Sequence, residues 1–271
     1  MSHNGIVIVD CALYTSGKRE AVSGPAEAIK RARKDADSFV WIGLHEPTYD
    51  EFDDLALYFA PHPLAIEDMV NAHQRPKLEI FDDCLFLVLK TLRYIEESSQ
   101  IESGEVMIFT GDHFVVTIRH GSGSPLSAVR TRLEGQPDVL RCGPSAVLYG
   151  VADAVVDTYE LIAADVERDL EEVEGQVFAS TFDNDAARIY ALKREVLEFR
   201  HAAMPLAHPM QVLATGRLQG VHPDTGPFFR DVADHVARVV EKVEGFDALL
   251  TDIHSVNLAQ ISIRQNEQMH Q

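Results

Sequence analysis

The sequence predicts an α/β fold that gives way to long helices, and three observations carry that expectation. Short β-branched runs alternate with helical segments as far as Ile118. One unbroken helical pattern then covers residues 145–178. The segment after Gly226 carries a narrow heptad seam that continues towards the C-terminus. A chain of 271 residues, 46% hydrophobic and 25% charged, can bury a sizeable core as one large domain or two smaller ones. Its charge balance is unusual: 43 acidic against 24 basic residues leave a formal −19. Such a surface repels nucleic-acid phosphates and anionic lipid and concentrates cations around itself. The three cysteines form no C-x-x-C pair, so neither a disulfide framework nor a thiolate zinc site is expected, which fits a reducing cytosol. No cationic segment followed by an apolar core opens the chain, and no window approaches the ~18 apolar residues of a membrane helix. The chain by itself is therefore expected to be soluble.

The elements follow in order. Residues 5–13 and 39–42 read as strands, with a helix over 25–35 between them after Ser23-Gly24. Phe52, Leu55, Ala56 and Phe59 recur at three- and four-residue steps, so 50–60 is an amphipathic helix. Pro63 suits the first turn of a second helix, where its missing N–H costs nothing. Residues 78–94, 105–110 and 113–118 read as three strands, the last two joined as a hairpin at Gly111-Asp112. A short helix over 124–133 precedes a break at Gly143-Pro144 and the long helix over 145–178. A second long helix, capped by Asp183, is expected to run to about 213, with Pro205 and Pro209 kinking or ending it early. Residues 216–226 are a linker.

In the last helix Phe229, Val232, Val236, Val239, Val243, Phe246, Leu250 and Ile253 alternate three- and four-residue steps, a coiled-coil seam narrower than the stripe of a helix lying on a core. Asn257, Gln260 and Arg264 continue it, so the seam turns polar. A self-associating helix of that kind could line a wet channel, and a plain intramolecular or dimeric coiled coil fits the same periodicity.

Candidate chemistry rests on carboxylates. Glu67 and Asp68 are adjacent on a short helix and followed by Asn71; Asp231 and Asp234 lie one turn apart, as do Asp153 and Asp157. Asp153 stands in an apolar context, Val151-Ala152-Asp153-Ala154-Val155-Val156, and a buried carboxylate needs a partner. Scattered carboxylates that converge on folding or assembly suit a hydrated ion such as Mg2+, which keeps several waters. His201 and His208 lie two turns apart, but no third donor completes a zinc set. No phosphate-binding, dinucleotide, serine-hydrolase or zinc-protease motif is present, so an enzyme is not expected.

Two segments carry a resemblance. Residues 61–77, Pro-His-Pro-Leu-Ala-Ile-Glu-Asp-Met-Val-Asn-Ala-His-Gln-Arg-Pro-Lys, and residues 228–235, Phe-Phe-Arg-Asp-Val-Ala-Asp-His, resemble the CorA family of magnesium/cobalt transporters. Residues 149–159 resemble the start of that family's long acidic helix, and Gln265-Asn266-Glu267 with Met269 resembles the stretch before its first membrane helix.

The resemblance implies an α/β/α sandwich over residues 1–142, two long antiparallel helices over 143–220 and a stalk helix over 221–271. It further implies a cytoplasmic cation-sensing and gating domain at the inner membrane, homopentameric in the full-length protein. Mg2+, with Co2+ as a second candidate, would be the regulatory and transported ion. Asp68 would match the regulatory metal site together with Asp231 of the neighbouring subunit, Glu67 and Asp153 its surroundings or a second site, and Asn266 and Met269 the pore-facing stalk end. The family's Gly-Met-Asn signature and both membrane helices are absent from the sequence, so a chain cut before the membrane is expected, joined to it only through those helices. A zinc-transporting relative of the ZntB type, and a soluble self-associating helical scaffold with no specific ion, are the alternatives.

Overall fold

Alternating side chains of the central strands point into two separate cores, and this places helices on both faces of one sheet. The computed structural model describes residues 8–81, 83–121, 123, 126–179 and 185–269. Seven strands are described: β1 (Ile8–Thr15), β2 (Lys18–Glu20), β3 (Ser38–His45), β4 (Lys77–Phe81), β5 (Cys84–Ile95), β6 (Gln100–Gly111) and β7 (Phe114–Gly121). They form a single sheet in the order β2-β1-β3-β7-β6-β5-β4, antiparallel except where β3 runs parallel to β7. Phe39 and Trp41 face one core, while Val40, Ile42 and Leu44 face the other; Leu85, Leu87 and Leu89 oppose Phe86 and Val88 in the same way.

Three helices cover one face: α1 (Pro25–Ala32), α2 (Tyr49–Phe59) and α3 (Pro63–Val70). Thr48 and Glu51 form a reciprocal capping box at the start of α2, and Pro63 opens α3 with the His62 ring accepting from the Leu64 N–H. The opposite face carries α4 (Ser127–Glu134), α5 (Pro137–Leu140), α6 (Pro144–Phe178), α7 (Asp185–Ala203), α8 (Ala207–Ala214) and α9 (Gly226–Met269). Tyr159 anchors α6 to the sheet by donating its hydroxyl to the Lys90 carbonyl, and Tyr94 of β5 donates to Asp169 one helix segment further on.

Three expectations need correction. Residues 78–94 are not one strand: Phe81 pairs with Cys84, so the apolar run folds back as the β4–β5 hairpin with Asp83 in its turn. Strand β2 was not foreseen. It follows a two-residue turn in which Ser16 and Gly17 both have positive φ, and a Cβ on Gly17 would lie 2.3 Å from the Pro137 carbonyl oxygen. The helix expected to about 213 is interrupted near Pro205 as expected: α7 ends at Ala203, a 3-10 turn covers Met204–Leu206, and α8 carries on to Ala214. Its expected cap, Asp183, lies outside the described residues.

The largest correction concerns the seam. All eight apolar seam residues from Phe229 to Ile253 are buried within the chain, in one core shared with α6, α7, α8 and the sheet. The Tyr149 ring of α6 packs edge-on against Phe229 at 6.1 Å. The apolar seam is therefore covered intramolecularly and is not free for self-association. Beyond it α9, about 66 Å long at ~1.5 Å per residue, leaves Leu258, Ile261, Ile263 and Met269 exposed.

Phe229→Ala is expected to lower unfolding free energy by about 3–5 kcal/mol. In urea titrations read by circular dichroism the loss should be the same at two widely different protein concentrations, because the cavity opens inside one chain.

Candidate metal centre

Helix α3 presents Glu67 to solvent and holds Asp68 half-buried. The Asp68 side chain is 21% exposed, and its Oδ2 accepts from Lys77 Nζ at 2.6 Å. Lys77 is the first residue of β4, and its ammonium also lies 3.0 Å from Glu79 Oε2. Partial burial opposes the charge on Lys77, but the hydrogen bonds and charges of Asp68 and Glu79 outweigh it and hold the ammonium above the ordinary lysine range.

The connection from α3 to β4 is tied down from below. Glu105 of β6, 4% exposed, accepts from the His73 N–H at 2.6 Å, the Gln74 N–H at 3.2 Å and Lys90 Nζ at 2.6 Å. His120 Nε2 donates to the Met69 carbonyl at 2.9 Å, and Asn71 Nδ2 donates to the Tyr49 hydroxyl at 3.0 Å. A buried carboxylate satisfied by two backbone N–H groups and an ammonium is a rigid clamp. Its effect is to hold the segment carrying Asp68.

The other carboxylates gather on α6 and α9, across the sheet from α3. Asp153 is 7% exposed and paired with Arg132 Nη1, whose other nitrogen donates to the Gly150 carbonyl at 2.9 Å. The partner its apolar context called for is thus an arginine of α4. One turn along, Asp157 Oδ1 and Glu160 Oε1 each lie 3.9 Å from His235 Nδ1, while His235 Nε2 lies 3.7 Å from Asp231 Oδ2. Burial first, and then the neighbouring Asp153 carboxylate, raise the Asp157 carboxyl above its usual range. The donor atoms of Asp157, Glu160 and His235 fall within 4.8 Å of one another, so two oxygens and an imidazole nitrogen could converge on one ion. Arg238 Nη2, 3.3 Å from Glu160, partly neutralises that group.

Asp231 is 67% exposed at its side chain, and Asp234 is also exposed. Asp231 and Asp68 therefore sit in opposite layers of one chain, and no three-donor group among the described residues includes both. His201 and His208 are exposed on separate helices and join no such group. Asn266 and Met269 are exposed near the end of α9. Three contributors escaped the sequence reading: Lys77, Glu105 and Glu160. Glu160 had a visible signal in its one-turn spacing from Asp157, and Lys77 stood inside the 61–77 motif without a readable role. A further donor group, Cys142, His222 and Asp224, is occupied in part by structure, since His222 Nδ1 accepts from the Asp224 N–H at the turn before α9.

Carboxylates on both layers of the sheet and a long C-terminal helix are the features this fold sets out. Comparison with known proteins gives the family. The model of the CorA-like Mg2+ transporter protein family matches residues 36–271. The chain belongs to that family, whose members are ion transporters and not enzymes. It is 29% identical over 240 residues to the cobalt/magnesium transport protein CorA of Thermotoga maritima, covering 87% of this chain and 68% of that relative. The soluble domain of CorA from Methanocaldococcus jannaschii superposes with a TM-score of 0.73 at 16% identity, over 94% of this chain and 99% of that one. The ZntB cytoplasmic domain from Vibrio parahaemolyticus does so with 0.70 at 11% identity, over 95% and 99%. Both likenesses are of fold. Among the described residues no helix is long and apolar enough to cross a membrane.

Arg132→Met should destabilise the chain by about 3 kcal/mol or more, because it leaves the Asp153 carboxylate buried without its counter-charge. Adding Asp153→Asn to that variant should restore much of the loss in a urea titration, whereas a purely steric role for Arg132 would leave the double variant as weak as the single one.

Proposed function

We propose that this chain is the cytoplasmic cation-sensing and gating part of a CorA-type magnesium transporter, with cobalt as a second transported ion. The observation that supports this most is the separation of Asp68 and Asp231. Each is a carboxylate with accessible oxygen, and within one chain they lie in different layers. In a ring of copies, five by family resemblance, Asp68 of one would meet Asp231 of the next. A hydrated divalent ion held between them would offset their repulsion, and its loss would loosen the interface. Glu67 and Asp153 would stand nearby as outer partners, Asp153 after sharing or releasing Arg132. The segments 1–142, 143–220 and 221–271 then serve as platform, connecting helices and stalk. The exposed apolar residues Leu258, Ile261 and Ile263 give the stalk end something to bury against its neighbours, with Asn266 and Met269 turned to the pore. The net charge of −19 favours cation accumulation around such a ring.

One observation favours a second reading. The Asp157–Glu160–His235 group offers an imidazole nitrogen, which suits zinc or cobalt better than magnesium. A zinc-handling chain of the ZntB type would use it. The scaffold reading loses its basis, because the apolar seam it relied on is buried within the chain.

Divalent ions should stabilise the protein. A site half-filled at ~1 mM adds about 1.4 kcal/mol at ~10 mM by ligand linkage. The melting temperature should rise between EDTA and magnesium at fixed ionic strength, and no rise would contradict the proposal. Asp231→Lys supplies a fixed positive charge at the interface. Its protease sensitivity should no longer change when magnesium is withdrawn, and an unaltered magnesium dependence would show that Asp231 is not part of the site.

A further inference from the structure

We propose that Lys77 is a built-in competitor for the cation at Asp68, setting the divalent-ion concentration at which that site fills and excluding monovalent ions from it. This rests on Asp68 being a cation ligand, as proposed above. The Lys77 ammonium donates to Asp68 Oδ2 at 2.6 Å and lies 3.0 Å from Glu79 Oε2, so a positive charge already stands between two carboxylates. Both ends of this contact are held. Lys77 is the first residue of β4, in register with Val88, and its ammonium lies 5.9 Å from the centre of the Phe86 ring. Asp68 is on α3, pinned through the Met69 carbonyl by His120, and the intervening backbone is clamped at His73 and Gln74 by Glu105. Residues of β4, β6 and β7 thus hold the stretch between Asp68 and Lys77, nine positions apart, so that an ammonium meets the carboxylate.

An ion arriving at Asp68 has two routes. It can displace the ammonium from Oδ2, or it can bind the other oxygen while repelled by the charge beside it. A monovalent ion that displaces Lys77 exchanges one charge for one and forfeits a charge-assisted hydrogen bond. A divalent ion brings twice the charge and can bind through its retained waters. Lys77 therefore selects for divalent ions and weakens their binding, which keeps the site responsive at high ion concentration instead of permanently filled.

The test is a MgCl2 titration of the melting temperature of the full 271-residue chain, at fixed ionic strength, with KCl as the monovalent control. Lys77→Met keeps the apolar stem and removes the charge. It should lower the magnesium midpoint roughly tenfold, the smaller end of the effect a charge ~4–6 Å away has on a carboxylate's affinity for a proton. Lys77→Arg keeps the charge and should titrate like the parent. In an Asp68→Asn background, Lys77→Met should change nothing, which separates competition at Asp68 from a general change in net charge. If Lys77→Met does not fold, Lys77→Gln replaces it. A midpoint unchanged or raised in the charge-removing variant, or lowered equally with and without Asp68, overturns the proposal for Lys77. Asp68→Asn titrating like the parent would instead show that Asp68 is no ligand, and the underlying reading would fail with it.

Discussion

Burial of one narrow apolar seam on α9 is the contact on which the rest of the molecule depends. A 44-residue helix cannot hold a defined position by its ends alone, and eight apolar side chains at heptad spacing fix its rotation against α6, α7 and α8. Once that seam faces inward, the remaining positions of α9 have only one way to point. Asp231 and Asp234 emerge to solvent, and His235 comes to lie between Asp231 on its own helix and Asp157 and Glu160 on α6. The same docking carries the helix end past the body of the protein.

The two faces of the sheet divide the labour. One carries α3 and, through Glu105 and His120, locks the segment from Asp68 to Lys77. The other carries the helical layer in which a buried Asp153 is paired with Arg132, while for half-exposed Asp157 burial and the Asp153 charge outweigh the help of Arg132 and His235. A carboxylate that has its own arginine is a structural element until that arginine leaves. Carboxylates whose burial and crowding disfavour ionisation are the ones a cation relieves.

Much of this was legible in the sequence, and the failures have physical reasons. The long helix expected over 145–178 is Pro144–Phe178, because Gly143-Pro144 is an unambiguous start and no proline interrupts the interior. The heptad seam was correct residue by residue, but its partner stayed open between self-association and packing within the chain: periodicity sets which face is buried and says nothing about what covers it. The need of Asp153 for a partner could be read from its apolar neighbours, whereas Arg132, 21 positions away, becomes a neighbour only when α4 packs on α6. Lys77 was visible inside a motif, yet its contact with Asp68 depends on a helix, a clamped loop and a strand meeting at one angle. The β4–β5 hairpin was hidden because apolar residues continue on both sides of its turn.

The central claim is that Asp68 of one copy and Asp231 of the next share a divalent ion. Anomalous diffraction from crystals grown with cobalt tests it most directly, since the signal locates the ion whatever the oligomer. The account predicts an anomalous peak bridging Asp68 and Asp231 across an interface between copies, with water completing its shell. A peak confined to Asp157, Glu160 and His235 within single chains, with Asp68 still bound to Lys77, would contradict it.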